Sequence, residues 1–204
     1  MILTAEDLAG MDKLSRVQLA TTLPGPKPIC LVGTRSRSGQ ANLAPFSSVT
    51  HLGSNPVLIG MVTRPDTVER QTLRNIIETG EWTLNHITSD IVAQAHQCSA
   101  RYPSHHSEFE ATELEEYSHD GIHPPFVAAS PLRFALSLEE IIDIPSNGTQ
   151  LIVGRVQLVD IPDSSLAADG SLDLAKLGSL ASTALDTYFS LTEVAKLPYA
   201  KAPS

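Results

Sequence analysis

The sequence of 204 residues predicts a mainly β protein, an antiparallel barrel with helical insertions. About six segments have the apolar or alternating pattern of strands, and the helical patterns between them are short. Because strands do not alternate regularly with helices of about 10 residues or more, a doubly wound parallel sheet is disfavoured. Asn147-Gly148 between the last two apolar runs predicts a hairpin, because both residues tolerate the positive φ of a type I′ turn. We expect a single domain over residues 1–204, with a core of about 25–162 between helical N-terminal and C-terminal extensions.

The first part of the chain is predicted to hold one short helix and three strands. Thr4 is the predicted N-cap of the helix, with acidic residues in its first turn. Pro45 lies inside the second strand and has no N–H for a ladder, so it marks an edge, a bulge or a bend. The three strands comprise residues 29–34, 41–50 and 57–62.

The middle of the chain is predicted to hold two short helices around a further strand. Leu73, Ile76 and Ile77 are spaced i, i+3 and i+4, which gives one apolar helix face. Gly80 suits the C-cap of this helix, and Ser89 suits the N-cap of the next one. The strand between the helices comprises residues 82–87.

The remainder is predicted to form a long loop, a hairpin and a tail. Residues 99–130 are rich in Pro, His, Glu and Ser and predict a loop. The apolar runs at residues 132–144 and 149–161 form the hairpin. The tail from Leu172 alternates Leu, Ala and polar residues, which predicts helix in parts.

The composition argues against several classes of partner. With 14 Lys and Arg against 23 Asp and Glu, the formal net charge is −9, which disfavours nucleic acid and anionic membranes. No apolar run approaches the roughly 20 residues that cross a bilayer, and the N-terminus lacks the basic region of a secretory signal. Cys30 and Cys98 form neither a metal-ligand spacing nor a disulfide framework, so we expect a reduced, cytoplasmic protein.

Four common catalytic motifs are missing from the sequence: G-x-S-x-G, the P-loop, H-E-x-x-H and G-x-G-x-x-G. Chemistry by side chains alone is therefore less favoured than chemistry supplied by a cofactor. Several histidines lie between His96 and His123, near acidic residues. We interpret this stretch as a solvated polar loop, and a metal-dependent hydrolase built on it is the alternative.

One extended segment combines small residues, a proline, an aromatic ring and two hydroxyl groups. A flat, largely apolar ring such as isoalloxazine needs this mixture, because small side chains admit the backbone and hydroxyls reach the polar atoms. A bent barrel strand would account for the segment equally well. The residues are Asn42, Leu43, Ala44, Pro45, Phe46, Ser47 and Ser48.

A second segment, residues 64–76, leads into the predicted helix and has the ingredients of a phosphate site. Arg70 is cationic and Thr72 carries a hydroxyl group. Both stand beside backbone N–H groups at the positive end of a helix dipole. The alternative is that Thr72 is an ordinary N-cap and Arg70 is solvated.

Taken together, the two segments resemble the FMN-binding split-barrel proteins of the flavin reductase-like family. The resemblance runs in order from residue 25 to residue 160 and continues more loosely into the tail. The matching pieces are Lys27-Pro28-Ile29, Val32-Gly33-Thr34, residues 42–47, Ser54-Asn55-Pro56, residues 72–76, residues 78–81, Asn85, Tyr102-Pro103, Glu108-Phe109, Pro124-Pro125, Ser130-Pro131 and Gly154-Arg155-Val156.

The resemblance implies a six-stranded antiparallel Greek-key split barrel that forms a homodimer, with FMN near the subunit interface. It implies that residues 44–48 face the isoalloxazine. It also implies that the ribityl phosphate is held by Thr63, Arg64, Arg70, Gln71 and Thr72.

The chain departs from the family pattern at three places. Relatives commonly have Lys-Asp-Thr where this chain has Arg70-Gln71-Thr72, and arginine keeps the cation that pairs with phosphate. Ala135 stands where relatives often have Glu, and Ser182-Thr183 where they often have an Arg. The last two departures bear on the substrate half of the site.

The sequence therefore predicts an FMN-binding oxidoreductase, an NAD(P)H-dependent flavin reductase in which the nicotinamide passes a hydride to flavin N5. No general base is required, because the main task of the protein is to orient the reactants. The alternative from another class is a non-catalytic FMN or haem carrier on the same barrel.

Overall fold

The computed structural model describes residues 1–65, 70–103, 105–184 and 186–202. The strands are β1 (Lys27–Pro28), β2 (Cys30–Arg35), β3 (Ala41–Phe46), β4 (Val49–Ser54), β5 (Val57–Thr63), β6 (Glu81–His86), β7 (Glu116–Tyr117), β8 (Phe126–Val127), β9 (Arg133–Ile144), β10 (Thr149–Asp160), β11 (Leu180–Thr183) and β12 (Thr187–Ser190). The helices are α1 (Ala5–Gly10), α2 (Lys13–Thr22), α3 (Gln71–Thr79), α4 (Val92–Gln97), α5 (Glu108–Thr112) and a 3-10 turn at Asp163–Ser165.

A seven-stranded antiparallel sheet in the order β3-β2-β6-β9-β10-β5-β4 forms the body of the molecule. Its two edge strands, β3 and β4, are consecutive in the chain and are joined only by Ser47 and Ser48. The sheet therefore curls until its two edges meet at this corner. All residues of both strands are described, and no ladder joins them, so the barrel is open along this line. The predicted class, a mainly β antiparallel barrel, is confirmed.

The sheet has seven strands rather than the expected six. The predicted strand over residues 41–50 is two strands, because the chain turns at Ser47-Ser48 and changes from one edge of the sheet to the other. Pro45 lies in β3, an edge strand, as its missing N–H predicts.

The predictions for the loop and the tail need correction. The stretch 99–130 holds α5 and the small sheet of β7 and β8. The tail forms β11 and β12, which pair with β1 in a three-stranded sheet, and its described residues contain no helix after residue 172. Strand β11 is buried, so tertiary packing against β1 overrides the local pattern.

The helix ends agree with the sequence at two of three predicted caps. Thr4 Oγ1 accepts from the Asp7 N–H at 3.2 Å, which makes it the N-cap of α1. Gly80 ends α3 with a left-handed φ of 75°. The N-cap of α4 is Ile91 rather than Ser89, so this helix begins later than predicted.

The β9–β10 hairpin forms where predicted, but with a different turn. Four residues, from Pro145 to Gly148, connect the strands, and the Gly148 N–H donates to the Ile144 carbonyl at 2.9 Å. Gly148 has a φ of 72°, whereas Asn147 does not have a positive φ, so the turn is not type I′. Asn147 instead accepts the N–H of Thr149 at 3.0 Å.

Two hydrophobic cores lie on opposite faces of the curled sheet. Successive residues of β2 contribute to each: Leu31 to the outer core beneath α4 and α5, and Val32 to the inner core of the barrel. Leu73 and Ile76 of α3 belong to the inner core, so this helix closes one end of the barrel. Ile77, the third residue of the predicted apolar face, is instead 56% exposed, because it points away from the sheet. The position of α3 is thereby fixed by apolar burial. In the part of the chain that the structure describes, no helix is long and apolar enough to span a membrane.

Candidate functional site

The two segments singled out in the sequence lie side by side in the structure. Asn42 Nδ2 in β3 donates a hydrogen bond to Thr72 Oγ1 in α3 at 3.0 Å. Ser48 Oγ donates to the Val62 carbonyl oxygen, near the end of β5, at 2.7 Å. Strand β3, the corner after it, the end of β5 and the start of α3 therefore form one continuous surface. We call it the corner site, comprising residues 42–48, 62–64 and 70–72.

The predicted ring segment, residues 44–48, is half-buried throughout. Ala44 pairs with Val32 and Phe46 with Cys30, so both side chains face the barrel interior, where Phe46 packs against the inner core. Ser47 and Ser48 form the corner between the two edge strands. The backbone of the segment is thus partly exposed, and the side chains beneath it pack against the inner core.

At alternate residues of β3, the backbone N–H and C=O groups point away from β2, toward the free edge of the sheet. The Leu43 N–H donates to Glu108 Oε2 at 2.9 Å instead of to β2. Pro45, two residues later, has the same orientation, since N–H and C=O groups alternate sides along a strand. Its missing N–H therefore costs no ladder bond, and the free edge of β3 continues past the carboxylate toward the corner.

Asn42 is directed away from this free edge. Its side chain is 5% exposed and its amide donates to Thr34 Oγ1 at 3.2 Å as well as to Thr72. Asn75 Nδ2 donates to the same Thr34 oxygen at 3.1 Å. A buried polar cluster of these four residues therefore connects β2 and β3 to the first turns of α3.

The start of α3 carries the predicted phosphate residues. Arg70 is the N-cap, in an extended conformation, and its side chain makes no capping hydrogen bond, since a guanidinium cannot accept one. Thr72 is thus not the N-cap, which corrects that alternative reading; it lies in the first turn and accepts from Asn42. Gln71 between them is half-buried. The first-turn N–H groups have no acceptor within the helix and carry its partial positive charge.

The end of β5 contributes the remaining predicted residues. Thr63 is 2% exposed, and its Oγ1 lies 3.5 Å from the Gln150 carbonyl oxygen of β10. Arg64 is exposed. Residues 66–69, which belong to the predicted phosphate segment, lie outside the described residues. The hydrogen bonds therefore place Asn42 beside the start of α3 and Ser48 beside the end of β5, with Asn42 and Thr63 buried.

Unpartnered polar atoms are concentrated at the same place. Within the described chain, the buried side-chain atoms without a hydrogen-bond partner are Arg70 Nε, Asn75 Oδ1 and Trp82 Nε1. The first two belong to the N-cap and the second turn of α3. Buried polar atoms are normally paired. A donor and an acceptor without partners at the start of one helix therefore indicate a place where a ligand or a water molecule binds. A guanidinium N–H, a hydroxyl and the positive end of a helix suit a phosphate.

The histidines of the stretch from His96 to His123 make contacts within the fold. No group of three metal-ligating side chains is found in the ranges that the structure describes, so the geometry does not support the hydrolase alternative. His96 Nδ1 lies 3.0 Å from Tyr188 Oη, and His123 Nε2 lies 3.3 Å from the Ser36 carbonyl oxygen. His105 and His106 contact each other edge to face.

Sequence reasoning missed Thr34, Glu108 and His86 as neighbours of the site. Burial raises the pKa of the Glu108 carboxyl group, while its bond from Leu43 lowers it. Cys30 on β2 is the cross-strand neighbour of both Phe46 on β3 and His86 on β6, so the three residues are aligned across the sheet. Its Nδ1 lies 3.1 Å from Ser179 Oγ, and burial lowers its pKa to about 4, so the ring is neutral at pH 7. These contacts join distant parts of the chain, and no local signal could have found them.

Comparison with known proteins identifies the family to which the chain belongs. A model of the flavin reductase like domain matches residues 25–173. The uncharacterized protein BH2278 of Halalkalibacterium halodurans is 31% identical over 186 residues, covering 87% of this chain and 88% of that protein.

Solved structures share the fold over nearly the whole chain. A split-barrel protein of Shewanella frigidimarina NCIMB 400, described as a candidate flavin reductase, has a TM-score of 0.94 and 38% identity, covering 98% of this chain and 100% of that chain. Nitrilotriacetate monooxygenase component B from Bacillus cereus has a TM-score of 0.85 and 25% identity, covering 97% and 98%. The curled sheet is thus a split barrel, and the chain belongs to the flavin reductase-like domain family.

Proposed function

We propose that the chain is an FMN-binding oxidoreductase that takes reducing equivalents from NADH or NADPH. The observation that supports this function best is the contact between the two predicted segments, made by Asn42 with Thr72. Ser48 adds a contact with Val62, just before the second segment. A half-buried strand corner and a cationic helix start on one surface offer both a platform for a flat ring and a site for its phosphate.

The corner site would hold the two ends of FMN with different chemistry. Segment 44–48 would support the isoalloxazine ring, and its outward backbone groups and Ser47 and Ser48 hydroxyls are suited to the polar edge of that ring. Arg70, Thr72 and the first-turn N–H groups would hold the phosphate, together with Thr63, Arg64 and Gln71. The departure from Lys-Asp-Thr leaves the cation in place and removes an acidic neighbour, which favours an anion.

The side chains of the site act by binding and orientation. When bound, FMN supplies a ring whose N5 accepts a hydride from the nicotinamide. Holding the two ring systems in contact lowers the entropic part of the barrier, so no side chain needs to act as a general base. The Ser47 hydroxyl would lie at the polar edge of the ring as a hydrogen-bond donor and would stabilise negative charge there.

The test combines binding and turnover. Purified protein is scanned for flavin absorbance, titrated with FMN by fluorescence quenching, and assayed for NADH and NADPH oxidation with and without added FMN. We expect saturable FMN binding and flavin-dependent oxidation of one of the nucleotides. A colourless protein that does not quench FMN would reject the function. FMN binding without oxidation of either nucleotide would support the carrier alternative instead.

We also propose that the protein is a cytoplasmic homodimer with FMN near the subunit interface. No residue of α1 or α2 is buried, so these helices bury little apolar surface against the rest of the described chain. Cys30 and Cys98 are buried free thiols, in keeping with a reducing compartment. The dimer is tested below through the N-terminal helices.

A further inference from the structure

The buried polar cluster at the start of α3 consists of Thr34, Asn42, Thr72 and Asn75. Thr34 is fully buried and the other three are at most 6% exposed. They lie beside Leu73 and Ile76, at the end of an otherwise apolar barrel interior. Burying four polar side chains in such surroundings is costly unless their hydrogen bonds are made, so their arrangement demands a reason.

Counting donors and acceptors determines the direction of the Thr72 hydroxyl. The two N–H groups of the Asn42 amide are donated to Thr34 Oγ1 and Thr72 Oγ1, at 3.2 and 3.0 Å. The Thr72 oxygen therefore acts as an acceptor toward Asn42, and its own hydrogen must be donated elsewhere. Two residues earlier, Arg70 carries a buried Nε–H that lacks a partner among the described residues. Both groups are thus donors at one helix start.

The cluster is not complete by itself. Thr34 Oγ1 accepts from the amides of both Asn42 and Asn75, so it fixes the two side chains relative to each other. Asn75 is 2% exposed, and its Oδ1 finds no partner in the described part of the chain. A cluster that served stability alone would satisfy its own members, because a partly satisfied buried network is less stable than an apolar one.

We propose that Asn42 is a positioning residue for phosphate binding: by occupying the acceptor side of the Thr72 hydroxyl, it fixes that hydroxyl as a donor to the phosphate of FMN. Thr34 and Asn75 hold the Asn42 amide in the required orientation. The assignment rests on the proposed function. It moves Asn42 from the ring end of the site, where the sequence placed it, to the phosphate end.

Two ligands that differ only in the phosphate separate this role from a structural one. FMN and riboflavin affinities are measured by fluorescence quenching for the wild type, Asn42→Ala, Thr72→Val and the double variant. We expect Asn42→Ala to weaken FMN binding by about 5-fold or more while riboflavin binding changes less than about 2-fold. Thr72→Val should show at least the same loss. In the Thr72→Val background, Asn42→Ala should have no further effect on the ratio of the two affinities.

Asn85 provides a matched control. It is a fully buried asparagine on β6 that donates to the Leu31 carbonyl and to Thr83 Oγ1, without a described contact to α3. Asn85→Ala should lower stability and leave the ratio of FMN to riboflavin affinity unchanged. Thr72→Ser keeps the hydroxyl and should retain phosphate discrimination. If Asn42→Ala does not fold, Asn42→Ser takes its place, and the Thr72 pair still tests the hydroxyl.

Distinct results would overturn the two proposals. If the wild type binds neither flavin, the proposed function fails and the role of Asn42 fails with it. If the wild type binds FMN but Asn42→Ala weakens FMN and riboflavin equally, only the positioning role is overturned. The same holds if the effects of Asn42→Ala and Thr72→Val on the affinity ratio are additive.

Discussion

Arg70 is the single side chain on which the proposed phosphate contact depends most. It is the N-cap of α3, and its buried Nε has no partner among the described residues. Under the proposed function, Arg70→Ala would remove charge-assisted hydrogen bonds to the phosphate. We therefore expect FMN binding to weaken by about 1.5–3 kcal/mol in a fluorescence titration. Unchanged affinity would show that the phosphate is held elsewhere.

Arg37 is a suitable control for this variant, because it binds the opposite end of the same helix. Its Nε and Nη2 donate to the Glu78 carbonyl oxygen at 3.1 and 2.8 Å. Arg37→Ala should leave FMN affinity unaltered, even if it lowers the free energy of unfolding. An equal loss of affinity in both variants would implicate the stability of the helix and not the Arg70 guanidinium.

The buried carboxyl group of Glu108 should make the stability of the protein depend on pH. Its carboxylate accepts the Leu43 N–H on the free edge of β3, and burial raises its pKa above the usual range for glutamate. Because the folded-state pKa is the higher one, this group contributes stability at low pH that is lost as pH rises through that value. Glu108→Gln keeps an acceptor oxygen and removes the charge. Relative to wild type, it should gain stability in urea unfolding as pH rises from about 4 to 8.

Glu108→Ala distinguishes the hydrogen bond from the charge. It leaves the Leu43 N–H buried without an acceptor, which should cost about 1–3 kcal/mol relative to Glu108→Gln at every pH. If the free energies of unfolding of wild type and Glu108→Gln change in parallel with pH, the proposed effect of burial on Glu108 is contradicted.

The sequence could predict which residues lie near the site only where those residues are close together along the chain. Arg70 and Thr72 were identifiable because they precede a recognisable amphipathic helix. Asn75, one turn after Thr72, offered the same kind of signal. Glu108 and Leu43 are 65 positions apart, so their contact depends on the packing of α5 against β3 and has no local pattern.

Among the elements, α3 carries both the site and the closure of the barrel. Its apolar face, including Leu73 and Ile76, enters the inner core, and its first turn faces Asn42. The spacing of apolar residues predicts this helix and Gly80 predicts its end, and both are confirmed. The placement of β3 and β4 at opposite edges of one sheet was not predictable, because a two-residue corner resembles a bend in a single strand.

Gly80 allows a test of the helix end without disturbing the site. Its φ of 75° is left-handed, and no described atom lies within 4 Å of the position of an added Cβ. The cost of Gly80→Ala is therefore conformational, about 1–2 kcal/mol in the free energy of unfolding. Gly80→Asn should cost less. FMN affinity should not change, since Gly80 is at the end of α3 away from Arg70, and a large loss of affinity would refute this separation.

For the whole molecule, the N-terminal helices test the proposed dimer. Within the fully described segment 1–23, Leu14 is 71% and Leu23 is 69% exposed, and helices this short are marginal without tertiary packing. We expect the full chain to be a dimer by sedimentation equilibrium. Removal of residues 1–23 should raise the concentration at which the dimer dissociates. The near-UV signal of buried Trp82, the single tryptophan, should be retained. A full chain that is monomeric at every concentration would contradict the dimer.

The sequence by itself determined the antiparallel β class, helix α3 with its glycine end, and the restriction of Pro45 to an edge, a bulge or a bend. Each of these follows from local periodicity or from the conformational limits of one residue. Only the tertiary structure decided that the tail forms strands, that the sheet has seven of them, and that Asn42, Thr34, Asn75 and Glu108 support the site from behind. The physical reason is that pairings such as Lys27 with Ser182 are selected by burial and register between distant segments, which no local pattern encodes.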